Sequence, residues 1–227
     1  MPIKTCIFDA YGTLFDVAAA ARNAASEPGR EAFATHWPAI AENWRHKQLQ
    51  YTWLRAITGD HVDFWQVTED GLDWALEAAG LDGDADLRAR LLQLYRELDA
   101  YPEVPDTLRA LKARGLNIAI LSNGSRDMLR AAVDSAAIGD LLDDTLSVDS
   151  VGIFKPAAQV YDLVGQRFHG AKSSVLFVSS NGWDAGSAAG YGFETVWVNR
   201  AGAPIDRLAA RPRHVLTDLT TLPELAS

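Results

Sequence analysis

The sequence predicts an α/β fold, with a Rossmann-like parallel sheet as the core and an α-helical cap inserted into it. Four short, mostly continuous apolar runs have the length and composition of strands that are buried on both faces of a sheet. Helical patterns lie between the later runs, and this alternation indicates right-handed crossovers in a doubly wound sheet. A long stretch after the first run contains helical patterns and no convincing strand, which indicates an insertion made of helices.

The predicted strands are residues 3–8, 116–121, 174–178 and 194–198, with edge strands at 145–148 and 214–216. One connecting helix is well delimited by its sequence. Leu108 and Leu111 follow Pro105 at helical spacing, and Gly115 stands where that helix is expected to end before the next strand.

The predicted insertion is a helical cap formed by residues 15–98, and the catalytic core consists of residues 1–14 and 99–227. Four leucines at spacings of three and four residues share one face of a helix: Leu87, Leu91, Leu94 and Leu98. Residues 44–55 are also helical in period and rich in aromatic side chains. The chain is expected to return to the core near Tyr101.

Composition and charge narrow the classes of partner. The chain has 227 residues, of which 48% are apolar and 22% charged, as in ordinary globular domains. Its net charge of −9 argues against nucleic acid as a partner, and a small anionic substrate would need a local basic pocket. The N-terminus lacks the pattern of a secretory signal, and no run approaches the roughly 20 apolar residues of a membrane span, so we expect a cytoplasmic protein. The single cysteine, Cys6, is expected to be a buried thiol because it lies in an apolar run.

Polar side chains follow the predicted strands at their carboxyl ends, where ligands bind in an open parallel sheet. Asp9 follows the first strand, Ser122 and Asn123 follow a second, and residues 179–184 follow a third. Lys155 lies in a loop after a predicted edge strand. Alone, each of these residues is more typical of a turn, a helix cap or the surface. Their placement after successive strands predicts one site that contains two carboxylates and a lysine.

The same segments carry recognisable motifs. FDAYGTL at residues 8–14, LSNG at residues 121–124 and the Lys-Pro pair at 155–156 resemble motifs of the haloacid dehalogenase superfamily. Two further segments resemble the L-2-haloacid dehalogenases within it: residues 44–55, with WR, KQL and YTWLR, and FVSSNGWD at residues 177–184. The resemblance covers both core and cap. It implies a parallel-sheet core with a helical cap, in agreement with the pattern of strands and helices.

The resemblance implies hydrolytic dehalogenation of short 2-haloalkanoic acids, with a preference for the L enantiomer. An oxygen of Asp9 would attack the α-carbon, expel the halide and form an ester, and water would then free a 2-hydroxy acid of inverted configuration. Lys155 would orient Asp9. The residues that would position Lys155 and the hydrolytic water are Thr13, Ser179, Asn181 and Asp184, with Tyr161 supporting the site. No metal or other cofactor is expected, and a homodimer through cap helices would resemble the family.

The residues expected to take part in catalysis are Asp9, Thr13, Arg45, Ser122, Asn123, Lys155, Tyr161, Ser179, Asn181 and Asp184. Those expected to bind the substrate or the halide are Tyr11, Arg45, His46, Leu49, Phe64, Ser122, Asn123 and Trp183. The resemblance implies that Arg45, Asn123 and Trp183 surround the halide. Ser122 and nearby backbone amides would hold the substrate carboxylate. His46 stands where the subfamily often has glutamine, and we expect a partly exposed residue that borders the pocket.

Two differences from the phosphatases of this superfamily favour the dehalogenase interpretation. In those phosphatases a second acid, two residues after the nucleophile, protonates the departing alkoxide, but position 11 is a tyrosine, whose phenol ordinarily ionises only near pH ~10. A halide leaves as a stable anion without a proton, so Tyr11 can serve as an aromatic wall. Phosphatases of this type also bind magnesium through carboxylates, whereas residues 179–184 contain one acid. The alternative interpretation is a magnesium-dependent phosphate monoester hydrolase whose acid has been lost or moved.

Two other classes have less support from the residues. Glycines at 182, 186, 190 and 192 follow a strand as in a dinucleotide-binding loop, but their four-residue spacing favours a small helix face that packs on the sheet. Basic and aromatic side chains within residues 45–55 resemble a nucleic-acid patch, but the net charge of −9 favours a solvated or pocket-facing helix. The sequence leaves open the group that takes the proton from water. It also leaves open the physiological substrate, with chloro-, bromo- and fluoroacetate and 2-chloropropionate all candidates.

Overall fold

Six strands form one parallel sheet in the computed structural model of the chain, which describes residues 2–226. They are β1 (Thr5–Phe8), β2 (Asn117–Ser122), β3 (Asp144–Ser147), β4 (Val175–Ser179), β5 (Glu194–Val198) and β6 (His214–Leu216). Their order across the sheet is β3-β2-β1-β4-β5-β6, and each neighbouring pair is parallel. The structure confirms the predicted α/β fold. β5 and β6 have the predicted bounds, and the other strands differ from their predicted bounds by one or two residues at one or both ends.

The centre of the sheet is covered on both faces. All residues of β1 and β4 are buried, and in β2 only the first residue, Asn117, is exposed. Strands in that position need apolar side chains in both directions, which explains the continuous apolar runs in the sequence. The strand order reverses beside β1, because β2 and β3 lie on one side and β4 to β6 on the other. Asp9 directly follows β1 and therefore lies at the crevice where this type of sheet binds ligands.

The helices are α1 (Ala18–Ala25), α2 (Glu31–Thr58), α3 (Phe64–Ala78), α4 (Ala85–Arg96), α5 (Val104–Ala113), α6 (Arg126–Ser135), α7 (Ala158–Phe168), α8 (Gly182–Tyr191) and α9 (Leu222–Leu225). Helices α1 to α4 all lie between β1 and α5, and we call them the helical insert. Within the insert, α2 packs against both α1 and α3, and α4 packs against α1. The segment 44–55, predicted to be helical, lies within α2.

Local sequence sets several helix ends. The carboxylates of Asp63 and Asp84 accept backbone N–H groups in the first turns of α3 and α4, at 2.9 and 2.8 Å. Helix α5 ends at Ala113, and Gly115 then adopts a φ of +76°, a conformation that glycine accepts without steric cost. The helix therefore stops before β2, as predicted.

The two chain segments that join the insert to the sheet are paired with each other. The Tyr101 N–H donates to the Leu14 carbonyl at 2.9 Å, and the Asp16 N–H donates to the Asp99 carbonyl at 3.0 Å. Phe15 forms an antiparallel bridge with Ala100 between them. We call residues 14–16 and 99–101 the paired linkers. They connect the insert to the sheet through one short two-stranded ribbon.

Two details differ from the prediction. Helix α4 ends at Arg96, so the buried Leu98 lies beyond the helix, because the chain there becomes extended to pair with residues 14–16. On the glycine face of α8, Gly186 and Gly190 pack on the segment before β6 rather than on the sheet, whereas Gly182 lies against both Trp197 of β5 and Asp206. A Cβ atom on Gly186 would lie 3.3 Å from the Ala210 carbonyl oxygen and 3.3 Å from Leu208. The small residues thus make room for a crossing loop.

Cys6 lies in β1 and has no exposed surface. Burial raises the pKa of its thiol to about 12. This is the buried thiol that the sequence predicts. None of the helices within residues 2–226 combines the length and apolar character that a membrane crossing needs.

Candidate active site

The Asp9 carboxylate lies just beyond β1, where it is buried and surrounded by hydrogen-bond donors. Its Oδ2 atom lies 2.9 Å from Asn181 Nδ2, 3.1 Å from Thr13 Oγ1 and 3.4 Å from Ser179 Oγ. Its Oδ1 atom accepts from Lys155 Nζ at 3.2 Å. The donors come from the loop after β1, the end of β4 and the loop before α7. Four predicted site residues therefore converge on the same carboxylate.

Lys155 lies between two carboxylates. Its ammonium group donates to Asp184 Oδ2 at 2.8 Å as well as to Asp9, and the side chains of Lys155 and Asp184 are 1% and 0% exposed. The Tyr161 hydroxyl donates to the other Asp184 oxygen at 2.8 Å. Asp184 lies in the first turn of α8 and Tyr161 lies on α7, so these helices carry the outer part of the network.

Burial and charge act in opposite directions on this network. Burial alone lowers the pKa of Lys155, but the carboxylates of Asp184 and Asp9 outweigh it, so the Lys155 pKa lies above its ordinary value. Burial raises the pKa of Asp184, against the opposing charge of Lys155. Burial, together with the Asp184 carboxylate, also raises the pKa of Tyr161. At neutral pH, Lys155 is therefore a cation and Tyr161 a neutral donor.

The helical insert brings a second cation to the site. Arg45 lies on α2, and its Nη2 atom donates to the Tyr11 carbonyl at 3.1 Å and to Asn181 Oδ1 at 3.2 Å. Because Asn181 also donates to Asp9, one amide side chain separates the guanidinium from the carboxylate. Leu49 follows Arg45 by four residues on the same helix face and is partly buried.

Ser122 is the last residue of β2 and Asn123 follows it, and both are buried. The Ser122 hydroxyl oxygen accepts the Gly124 N–H at 3.0 Å, which leaves its proton for another acceptor. The Asn123 side-chain oxygen accepts the Lys155 backbone N–H at 2.9 Å, which leaves its amide nitrogen as the donor. Both side chains therefore have donor capacity for an anion beyond the end of β2.

Aromatic rings close one side of the site. The Tyr11 ring stacks on Tyr95, with centroids 5.6 Å apart and an interplanar angle of 16°, and it also lies 5.9 Å from the Phe64 ring. Burial, the Tyr95 hydroxyl and the Asp9 charge hold the pKa of Tyr11 well above its ordinary value. Trp183 meets Trp53 edge to face at 5.4 Å. Its indole N–H is buried and has no hydrogen-bond partner within the described residues.

The structure does not join His46, a predicted site residue, to this network. The side chain is exposed, whereas its neighbour Arg45 is partly buried and reaches Tyr11 and Asn181. Successive residues on a helix point about 100° apart, which explains the difference. Its role at the edge of the pocket stays a prediction.

Three residues in or beside the site were not predicted. The Ser180 N–H donates to Thr13 Oγ1 at 2.7 Å, Tyr95 supports Tyr11 from α4, and Arg200 donates to the Thr13 carbonyl at 3.1 Å. Ser180 lies within a motif already singled out. Arg200 follows the end of β5 by two residues, so its position after a strand was an available signal. The contribution of Tyr95 depends on helix packing and has no such signal.

The donor set does not suit a magnesium ion. Magnesium needs oxygen lone pairs, but the Asp9 oxygens already face the Lys155 ammonium and the donors of Thr13, Ser179 and Asn181. The Lys155 ammonium also occupies the space between the two carboxylates. Within residues 2–226, no three His, Cys, Asp or Glu side chains cluster as metal ligands would.

Comparisons with known proteins agree over nearly the whole chain. The family model for haloacid dehalogenase-like hydrolases matches residues 3–192. The chain is 45% identical over 224 residues to (S)-2-haloacid dehalogenase 1 from Pseudomonas sp. strain CBS-3. The matched segment covers 99% of this chain and 96% of that relative. The chain is similar to a crystal structure of a dehalogenase with an intermediate complex, with a TM-score of 0.92, 39% identity, and coverage of 99% of this chain and 97% of the other. It is also similar to L-2-haloacid dehalogenase from Xanthobacter autotrophicus with chloropropionic acid covalently bound, with a TM-score of 0.85, 38% identity and 98% coverage of both chains. The similarity extends over the sheet and the helical insert alike.

Proposed function

This chain belongs to the haloacid dehalogenase-like hydrolase family, and from that membership and the geometry of the site we propose that it is an (S)-2-haloacid dehalogenase. It hydrolyses the carbon–halogen bond of short 2-haloalkanoic acids and releases 2-hydroxy acids of inverted configuration. The observation that carries the proposal is the surroundings of Asp9. A buried carboxylate is held by Lys155, is separated by one amide side chain from a cation of the insert, and has a buried phenol where an alkoxide leaving group would need an acid.

In the first step, Asp9 attacks the α-carbon of the substrate from the side opposite the halogen. Oδ1 is the better nucleophile, because it accepts from Lys155 alone among the hydrogen bonds described, whereas Oδ2 lies within reach of three donors. A carbon–oxygen bond forms as the carbon–halogen bond breaks, and the halide leaves with the bonding electrons. A single displacement of this kind inverts the α-carbon and leaves an ester on Asp9.

The halide leaves toward fixed donors and a cation. Arg45 supplies the positive charge, the Asn123 amide nitrogen is available to donate, and the unpartnered indole N–H of Trp183 is a buried donor that an anion would satisfy. The Ser122 hydroxyl and nearby backbone amides hold the substrate carboxylate. The substrate carboxylate and the departing halide thus both meet hydrogen-bond donors.

In the second step, water attacks the carbonyl carbon of the ester, frees the hydroxy acid and restores Asp9. After attack by Oδ1, Oδ2 is the carbonyl oxygen of the ester. The donors that face it, from Thr13, Ser179 and Asn181, are placed to stabilise the negative charge that develops on this oxygen. Asp184 and Tyr161 fix Lys155 beside the reacting group. One water is consumed for each halide and proton released.

We propose that the insert forms a cap, residues 15–98, over a core of residues 1–14 and 99–227. Leu49, Phe64 and His46 on the cap limit the size of the substrate. Exposed apolar side chains on α2 and α3 support a homodimer through cap helices: Leu54, Ile57 and Trp74. The net charge of −9 disfavours nucleic acid, and a cytoplasmic location remains part of the proposal.

Isotope labelling tests the ester intermediate. With excess enzyme, a single turnover of (S)-2-chloropropionate in oxygen-18 water should place the heavy oxygen in the peptide that contains Asp9. The released hydroxy acid should carry ordinary oxygen, because its new oxygen comes from the carboxylate. Asp9→Asn serves as the control and should acquire no label at this residue. Heavy oxygen found in the acid and never in the enzyme would mean direct attack by water.

The same enzyme tests the choice between dehalogenase and phosphatase. Halide release should persist after treatment with a chelator, because the donor set around Asp9 does not suit magnesium. A phosphate monoester supplied with magnesium should not be hydrolysed at a comparable rate. Full loss of dehalogenation under chelation, restored by magnesium, would contradict metal-independent catalysis.

A further inference from the structure

Arg200 lies outside the network around Asp9 and contacts the segments that support it. The residue follows β5 and its side chain is 21% exposed. Its Nη2 atom donates to the Thr13 carbonyl at 3.1 Å and forms an ion pair with Glu103 Oε1 at 2.7 Å. The guanidinium carbon also lies 3.7 Å from the centroid of the Tyr101 ring. One side chain therefore makes three polar or aromatic contacts.

These partners belong to both connections between the insert and the sheet. Thr13 immediately precedes the first of the paired linkers, Tyr101 ends the second, and Glu103 precedes α5. The linkers hold each other through backbone hydrogen bonds at their ends. Arg200 adds a contact from a third element, because it reaches them from the carboxyl end of β5.

Thr13 connects this contact to the nucleophile. Its hydroxyl lies 3.1 Å from Asp9 Oδ2 and accepts the Ser180 N–H at 2.7 Å, while its carbonyl accepts from Arg200. A shift of the Thr13 backbone would therefore move a donor away from the carboxylate. Small displacements of a positioning group have large effects on rate, because the reacting atoms must meet in a narrow range of geometry.

Arginine suits this position better than other cations. Its planar guanidinium donates in two directions and stacks on an aromatic face at the same time, whereas lysine is a compact point charge. The Nε atom of Arg200 is buried without a hydrogen-bond partner among the described residues, whereas its Nη2 atom makes both polar contacts. All three groups that it contacts lie in or next to the linkers, and one of them, Thr13, also contacts Asp9.

We propose that Arg200 is a positioning residue that fixes the paired linkers against the end of β5 and, through Thr13, fixes the geometry of Asp9. The proposal rests on the proposed function for its kinetic readout but not for its structural one. Loss of Arg200 should lower kcat, because the carboxylate loses its alignment. It should change KM little, because Arg200 contacts none of the groups assigned to the substrate.

The test compares Arg200→Ala, Arg200→Lys and a matched control, Arg213→Gln. Arg213 forms an exposed ion pair with Glu194 at the opposite end of β5. With (S)-2-chloropropionate, Arg200→Ala should lose roughly tenfold or more in kcat, with KM within about threefold of the native value. The kcat of Arg200→Lys should lie between those of Arg200→Ala and the native enzyme, and the kcat of Arg213→Gln should match the native value. Millimolar guanidinium sulfate should restore part of the kcat of Arg200→Ala, whereas sodium sulfate should not.

Hydrogen exchange gives a second readout that needs no turnover. The amide protons of Asp16 and Tyr101, which close the paired linkers, should exchange faster in Arg200→Ala than in the native protein and Arg213→Gln. If the native enzyme released no halide from 2-haloacids, the proposed function would fail, and linker exchange would still decide the role of Arg200. Native kcat in a folded Arg200→Ala variant, or unchanged linker exchange, would overturn the proposal. A loss expressed mainly as a higher KM would also overturn it.

Discussion

At the scale of single residues, the site contains two buried acids that one buried cation holds together. Asp9 and Asp184 lie 3.2 and 2.8 Å from the Lys155 ammonium, and none of the three side chains is more than 9% exposed. Each buried charge costs several kcal/mol of desolvation, so such a triad is a poor source of stability. Its arrangement is explained better by the reaction, which needs an ionised and oriented carboxylate.

Replacing Lys155 by Met would leave two buried acids without their cation. We expect Lys155→Met to abolish halide release and to lower the free energy of unfolding by about 3–5 kcal/mol, the usual cost of an uncompensated buried charge. Urea denaturation and a halide assay would measure both effects. Lys155→Met combined with Asp184→Asn should recover much of the stability and none of the activity. Native stability in the single variant would show that the acids do not depend on Lys155.

Substitutions of Tyr11 test whether this residue donates a proton or only lines the pocket with its ring. Tyr11→Phe keeps the ring that stacks on Tyr95 and loses only the hydroxyl. If the phenol were a general acid, its loss would cost about 100-fold or more in kcat. Because we assign Tyr11 to the wall of the pocket, we expect kcat to change by less than about threefold. Tyr11→Ala removes the wall and should lower the free energy of unfolding by about 3–5 kcal/mol. Inactivity of the folded Tyr11→Phe variant would assign chemistry to the phenol.

At the scale of elements, the apolar runs were informative because each central strand is covered on both faces. The site was also predictable in part, because polar residues at the carboxyl ends of parallel strands reach one edge of the sheet, as Asp9, Ser122 and Ser179 do. The end of α4 was not predictable, since Leu98 continues the leucine spacing although it lies beyond the helix. The orientation of the His46 side chain was not predictable either, because it depends on how α2 is rotated about its axis relative to the sheet.

The glycine face of α8 gives an element-scale prediction with a built-in control. A Cβ at Gly190 would lie 3.5 Å from the Ala210 Cβ, an ordinary contact, whereas at Gly186 it would press on a backbone carbonyl. Gly190→Ala should raise the free energy of unfolding by roughly 0.5–1 kcal/mol through lower chain entropy. Gly186→Ala should lower it by about 1–3 kcal/mol through overpacking. Chemical denaturation of the two variants would measure the difference, and equal effects would contradict the packing described.

At the scale of the whole molecule, several groups with raised pKa values share the interior. Burial raises the pKa of Cys6 in β1 and those of Tyr11, Tyr95 and Tyr161 around the site. Each of these groups keeps its proton to a higher pH in the folded chain than in the unfolded chain. Their contribution to stability is therefore complete at neutral pH and is lost as the pH rises.

Alkaline titration should show this loss directly. The Cys6 thiol has an ordinary value of 9.0 and a folded value of about 12, so stability should begin to fall near pH 9. The loss from one such group is about 1.4 kcal/mol for each pH unit between its unfolded and folded pKa. Urea midpoints at pH 8, 9, 10 and 11 would measure it. Cys6→Ala should flatten the curve between pH 9 and 10, and an unchanged curve would contradict the assignment to Cys6.

The enclosed position of Cys6 also makes the native chain a convenient starting point for optical measurements. A maleimide dye needs an accessible thiolate, and the folded protein offers none at neutral pH from its sole cysteine. Two cysteines introduced on the surface, one on the insert and one beside the sheet, could be labelled without altering β1. Single-molecule fluorescence between the two dyes would then report in real time whether the distance between the insert and the sheet changes while substrate enters and product leaves.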